Sequence, residues 1–172
     1  MLDFKEIDIK SPKFNPFELI GDKWMLITAG KEDKFNTMTA SWGGLGVLFN
    51  EPVVFSFIRP QRYTFEFVEN NDYFSISFYD KKYKDQLTFC GTKSGKDVDK
   101  VKEISFNPIF NEKAPYFKEA KLVFICQKIY SQFLDPDGFI DQSLEKNYDN
   151  DYHKLYVGKI VKAIIKEWKG QF

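Results

Sequence analysis

Both arginines of this chain lie within four positions of each other. Of 25 basic residues, only Arg59 and Arg62 are Arg; every other one is Lys. Arg is the better choice where a planar, forked donor must hold a phosphate or carboxylate. The ordinary alternative is a pair of surface ion pairs at a strand-to-helix corner, which contribute little. Position bears on the choice. Arg59-Pro60-Gln61-Arg62-Tyr63-Thr64 falls between a strand expected to end at Ile58 and a helix expected over 62–70. The free N–H groups of a helix start and the Thr64 hydroxyl favour an anion there, beside two cations.

Two further stretches carry polar groups at informative spacing. Asn36-Thr37-Met38-Thr39-Ala40-Ser41-Trp42, read as a strand, puts Thr37, Thr39 and Ser41 on one face and Met38, Ala40 and Trp42 on the other. Three hydroxyls in a row suit the polar edge of a conjugated ring, but Thr is also a good strand former and the face could simply be wet. Cys90-Gly91-Thr92-Lys93-Ser94-Gly95-Lys96-Asp97 has glycines that let backbone approach a ligand, though it also reads as a plain turn between helices. It is not a P-loop, because the spacing G-x-x-x-x-G-K-[ST] is not met. His153, the sole histidine, precedes a predicted strand, where either a hydrogen-bonded structural residue or a ligand contact fits. Cys90 and Cys126 are far apart and make no metal-ligand pattern. With one His, a zinc site would need unusual help from carboxylates, and no metal is expected.

The elements that must position these residues are mostly strands. Residues 24–29, 36–45, 52–58, 73–79, 122–130 and 155–165 are apolar or alternating runs. The second of these dissolves into Gly43-Gly44-Leu45-Gly46, and the last carries Gly158 as an expected bulge. Helical spacing predicts short helices over 62–70 and 82–90, with Gly91 as the stop of the second. Ser94 followed by Asp97 reads as an N-cap for a third, over 97–103. Asp135-Pro136-Asp137-Gly138 is a turn by composition. About six strands, few and short helices, and no repeat or linker predict a single mainly β domain over 1–172, most simply a barrel. A Rossmann-type sheet is not expected, since long helices do not alternate with the strands and G-x-G-x-x-G is absent.

Composition excludes several classes of function. The 172 residues, 43% hydrophobic and 29% charged, suit one soluble globular domain. Basic and acidic residues cancel at 25 each, so no nucleic-acid or anionic-membrane partner is expected. No apolar run is long enough to span a bilayer or serve as a signal peptide, and a cytoplasmic protein with reduced thiols is expected. Aromatics at 18% fill a core, with some left over for a flat ligand.

Taken together, the run Asn36 to Gly46, the segment Pro52 to Ile58 with Arg59 to Thr64, and Cys90-Gly91 with Ser94-Gly95-Lys96-Asp97-Val98-Asp99-Lys100 resemble the flavin reductase-like family, in particular its flavoredoxin-like branch. The resemblance spans about residues 24–165. It implies an FMN-binding split barrel of Greek-key type, a homodimer with FMN near the subunit interface, and FMN rather than FAD as the cofactor. It assigns FMN contacts to Asn36, Thr37, Met38, Thr39, Ser41 and Trp42. It assigns phosphate and ribityl contacts to Arg59, Arg62, Tyr63 and Thr64, and to Cys90, Gly91, Ser94, Gly95 and Lys96. The activity implied is an NAD(P)H-dependent flavin reductase, with chemistry carried by FMN rather than by a catalytic side chain. An electron carrier served by a redox partner protein and a non-enzymatic β-barrel module are the alternatives. Many relatives carry Gly-Asp-His before the last barrel strand, where the His helps engage the nicotinamide. Here the stretch is Asp151-Tyr152-His153, which keeps the His, and with it an expected nicotinamide contact, but loses Gly-Asp.

Overall fold

Ten strands and three short α-helices organise the described residues, 4–166, of the computed structural model. The outermost positions of the expected 1–172 domain, 1–3 and 167–172, lie outside the described residues. In chain order the elements are β1 (Phe4–Ile7), a π-helical turn (Glu18–Asp22), β2 (Met25–Lys31), β3 (Lys34–Ala40), β4 (Gly43–Leu48) and β5 (Glu51–Ile58). Then follow α1 (Tyr63–Glu69), β6 (Tyr73–Phe78), α2 (Lys84–Thr92), α3 (Lys100–Ile104), β7 (Pro108–Ile109) and β8 (Tyr116–Phe117). β9 (Leu122–Phe133) and β10 (Lys154–Lys166) close the chain, with residues 134–153 as a long strap between them.

Eight strands form one antiparallel sheet in the order β3-β2-β6-β9-β10-β5-β4, with β1 pairing the far end of β10. β7 and β8 pair separately. The two ends of the sheet, β3 and β4, are separated in sequence by Ser41 and Trp42 alone. The sheet must therefore curl until its edges meet at that corner, though no ladder joins them. That is a split barrel.

Alternation along the strands sends side chains into two cores. Ile27, Ile76, Phe78, Phe124 and Tyr156 fill the inside of the curl. Leu26, Val123 and Ile125 point outward, where Leu87 of α2 and the rings of Phe106 and Phe117 cover them. On β6 the predicted alternation holds, with Phe74, Ile76 and Phe78 inside and Ser75 and Ser77 opposite. Both serines are nevertheless buried, and Ser75 Oγ donates to the Pro115 carbonyl at 2.6 Å.

Four local expectations need correction. The single strand expected over 36–45 is two strands broken at Ser41-Trp42, because the glycine run forms β4, paired residue for residue with β5. Gly43, at φ +158°, sits where a Cβ would come within 2.6 Å of the Phe55 carbonyl oxygen. The count of about six also missed β1 and the two-residue strands, which are too short to show a period. Gly91 does not stop α2, which runs to Thr92; a Cβ on Gly91 would meet Thr39 Cβ at 3.3 Å, so glycine lets the helix lie close on β3. α3 begins at Lys100 rather than 97, because the Asp99 carboxylate caps it by accepting from the Lys102 N–H at 3.1 Å. Ser94 instead heads a turn, its Oγ accepting from the Lys96 N–H. The bulge at Gly158 is present, as a register shift between Val157 and Gly158.

Candidate functional site

The seam of the split barrel opens into a cavity of about 460 Å³. β3 and the corner after it contribute Met38, Thr39, Ser41 and Trp42 to its wall. The end of β5 and the start of α1 contribute Phe57, Arg59, Arg62, Tyr63 and Thr64. The lining also includes Ser94 from the turn after α2, Lys100 from the first position of α3, and His153 just before β10. Four stretches distant in sequence thus converge on one space.

One end of the cavity is cationic. Arg62 Nη1 donates to the Gly91 carbonyl at 2.9 Å, which orients the guanidinium and leaves its remaining N–H groups uncommitted to a carboxylate among the described residues. Lys100 is only 5% exposed, and its Nζ donates to the Thr37 and Cys90 carbonyls, both at 2.9 Å. An ammonium has three N–H bonds, so one remains. Burial, with Arg62 adding to it against the pull of the Cys90 thiol, lowers the ammonium to about 8. A buried cation beside a second cation, neither paired with a carboxylate among the described residues, is an unbalanced arrangement that an anion would relieve. The Thr64 hydroxyl completes this end. It accepts from Asn36 Nδ2 at 2.8 Å and so keeps its own proton to donate.

The wall around His153 is aromatic. The rings of Trp42 and His153 lie 5.0 Å apart, and Phe57 meets His153 edge-on at 6.5 Å. Trp42 is half exposed, which leaves much of its ring surface open. Burial, together with Arg59 and Arg62, holds the His153 imidazole down at about 4, against the opposing pull of Asp151.

The remaining sequence-derived residues stand behind the wall rather than on it. Thr37 is fully buried, bonded to Thr28 across the β2–β3 ladder, and does not line the cavity with Thr39 and Ser41. Thr39 in turn donates to the Leu87 carbonyl. Asn36 serves Thr64, and Gly95 packs so tightly on Asn36 that a Cβ would lie 2.2 Å from its Oδ1. Gly91 and Cys90 present backbone carbonyls to Arg62 and Lys100, while burial pushes the Cys90 thiol up to about 11. Lys96 turns away to pair with Glu66 at 2.7 Å and lies over the Tyr63 ring. Arg59 reaches the wall but is committed elsewhere, donating to Asp151 Oδ2 at 2.5 Å and to the Asn147 carbonyl at 2.8 Å. Its protein partners are thus those of an ion pair at the strand-to-helix corner.

Lys100 is the residue that sequence reasoning missed as a site residue. Its signal is faint, one Lys among many, at the start of a five-residue helix. Phe57 was likewise visible only as a strand residue.

The fold is thus an antiparallel split barrel, whose seam cavity carries Arg62 and Lys100 together with the tilted and edge-on rings of Trp42, Phe57 and His153. A family model described as "Flavin reductase like domain" matches residues 18–171, and the chain belongs to that family. Among solved structures it is similar to an FMN-binding domain of a flavin reductases-like enzyme from Shewanella baltica, at 16% identity and TM-score 0.68, covering 95% of this chain and 77% of that one. It is also similar to flavoredoxin from Methanosarcina acetivorans, at 24% identity and TM-score 0.64, with coverage of 92% and 74%. The flavin reductase of styrene monooxygenase from Pseudomonas putida aligns at 14% identity and TM-score 0.59, with coverage of 82% and 77%. Identities this low show the shared fold. No curated protein matches the chain in sequence. Among the described residues no helix is long and apolar enough to cross a membrane.

Proposed function

We propose that this protein is an FMN-binding oxidoreductase, an NAD(P)H-dependent flavin reductase in its leading form. The observation that carries this reading is the pair of cations Arg62 and Lys100 on the cavity, neither paired with a carboxylate among the described residues. The residues fit FMN. Arg62, the third N–H of Lys100, and the Thr64 and Ser94 hydroxyls would hold the phosphate. Trp42, Phe57 and His153 would flank the ring, and Thr39, Ser41 and the backbone between them would face the ribityl chain and the polar ring edge. When bound, FMN supplies the redox chemistry, receiving electrons from NAD(P)H or a protein donor and passing them to free flavin, oxygen or a partner protein. The chain's own part is to bind, orient and keep water from the reacting face, which needs no acid–base pair. The names of the neighbours, one FMN-binding and one a flavin reductase, support this.

A flavoredoxin-like electron carrier is the second reading. It is favoured by Asp151, whose carboxylate is taken up by Arg59 and Gln61 where many relatives carry Gly-Asp before the His. A homodimer is also part of the proposal. β4 is an edge strand, and Val47 and Phe49 at its end are 73% and 71% exposed, an apolar rim that suits a second copy.

The purified protein is expected to be yellow, or to become so with added FMN, and to bleach on anaerobic mixing with NADH or NADPH. Bleaching only with a reduced protein donor selects the carrier. A colourless protein that ignores FMN overturns both readings.

A further inference from the structure

We propose that Arg59 and Tyr148 are positioning residues that present His153 to the cavity as a neutral imidazole in a single tautomer, with the proton on Nε2. The proposal rests on the cavity being a ligand site, but not on the ligand being FMN.

The geometry is a relay from the strap to the wall. Arg59 is anchored at its tip by Asp151 and the Asn147 carbonyl, and its guanidinium carbon lies 5.0 Å from the centroid of the Tyr148 ring. Asp151 is held in turn by the Gln61 amide at 2.6 Å and accepts from the Asp149 N–H at 2.9 Å. Tyr148 is thereby fixed in position, and its hydroxyl meets His153 Nδ1 at 2.9 Å. The two rings stand nearly perpendicular, at 87°. The end of the strap is closed by the Leu134 N–H, which donates to the His153 carbonyl.

The polarity of the Tyr148–His153 bond follows from acid strength. A phenol O–H is a better donor than an imidazole N–H, and an imidazole nitrogen is a better acceptor than a phenol oxygen. The favoured arrangement has Tyr148 donating to Nδ1, which places the proton on Nε2. That nitrogen has no protein partner among the described residues, and the ring it belongs to lines the cavity. The charged groups facing the imidazole are Arg59 and Arg62, which oppose its protonation, and Asp151, which favours it but is engaged by Arg59. The outcome is an uncharged N–H donor for an acceptor atom on the cavity's occupant. Arg59 thus works through His153, and the phosphate end is left to Arg62 and Lys100.

Because the chain has one histidine, long-range proton–nitrogen NMR on uniformly labelled protein reports a single imidazole without assignment. The expected spectrum, with or without FMN, shows protonated Nε2 and bare Nδ1 at neutral pH, with titration well below the ordinary ~6.5. Tyr148→Phe keeps the ring under Arg59 and removes only the hydroxyl; it is expected to mix the tautomers. Arg59→Gln removes a cation and frees Asp151, so the titration is expected to move up toward the ordinary value. Ordinary titration in the wild type, a proton on Nδ1, or an unchanged tautomer in Tyr148→Phe would each overturn the proposal. Since the spectra are read without FMN, a failure of FMN to bind leaves this test intact.

Discussion

Asn36 Nδ2 donates to Thr64 Oγ1 at 2.8 Å, joining two buried side chains 28 positions apart and tying β3 to the start of α1. The bond places Asn36 behind Thr64. It does not stand on the cavity wall; it sets the orientation of a hydroxyl that does.

Removing that donor should therefore harm binding more than its distance from the cavity suggests. Asn36→Leu leaves Thr64 buried without its donor, at a cost of about 1–2 kcal/mol in stability. FMN affinity is expected to fall about tenfold, the equivalent of ~1.4 kcal/mol. Denaturant unfolding and flavin fluorescence titration measure the two effects. Unchanged affinity would remove Thr64 from the phosphate site.

Gly95→Ala tests the same tie from the other side. The new methyl would overlap Asn36 Oδ1, and the Tyr63 ring is 3.1 Å from it. Since the clash is with the end of a side chain, the fold should survive while Asn36 swings away from Thr64. The expected result is a near-normal circular dichroism spectrum with FMN weakened as in Asn36→Leu. Full affinity would mean that the loop simply shifts aside.

The two arginines should separate. Among the described residues Arg62 has no carboxylate partner, whereas Arg59 is held by Asp151 and Asn147. Arg62→Ala is expected to weaken FMN by more than tenfold, consistent with loss of a charge-assisted bond of about 1.5–3 kcal/mol. Arg59→Ala should cost FMN affinity clearly less. Equal losses would restore Arg59 to the phosphate site.

The sequence disclosed the site unevenly, for physical reasons. The pairing of Arg59 with Arg62 was visible because an Arg stands out in a Lys-rich chain. The strand-to-helix corner after Ile58 was visible because the hydrophobic period changes there. Thr37 was misplaced because alternation assigns a face but not what covers it, and here the cover is Thr28 on the neighbouring strand. Lys100 was hidden because its burial depends on α2 and β3 lending it two carbonyls, a tertiary circumstance no local pattern encodes. β4 was hidden because glycines carry no alternation, and its strand character comes from pairing with β5.

Lys100 should leave a mark on alkaline stability. Burial lowers its ammonium from 10.5 to about 8 in the folded chain. Below pH 8 both folded and unfolded chains carry this proton, and the cost of burying the charge is constant. Between 8 and 10.5 the unfolded chain binds the extra proton, so this group makes stability rise with pH, and above that window its contribution is flat again. Unfolding free energy measured against pH should show the wild-type-minus-Lys100→Met difference climbing across that window. A flat difference would mean that the ammonium is solvated in the folded protein.

Asp151 should leave a mark of its own at acid pH. The Asp149 N–H, the Gln61 amide and Arg59 together hold its carboxyl at about 2, below the ordinary 3.8, despite some loss of solvent. A carboxylate whose folded value is depressed stabilises above the unfolded value and loses that contribution as pH falls through the folded one. The stability gap between wild type and Asp151→Asn should accordingly be full above pH 3.8 and close as pH drops toward 2. Because Asp151 anchors both Gln61 and Arg59, the variant should also free the Tyr148 end of the strap, read as faster amide exchange over 145–152 at neutral pH. A gap that stays constant through the acid range would mean that Arg59 and Asp151 are only neighbours, each as well served by water.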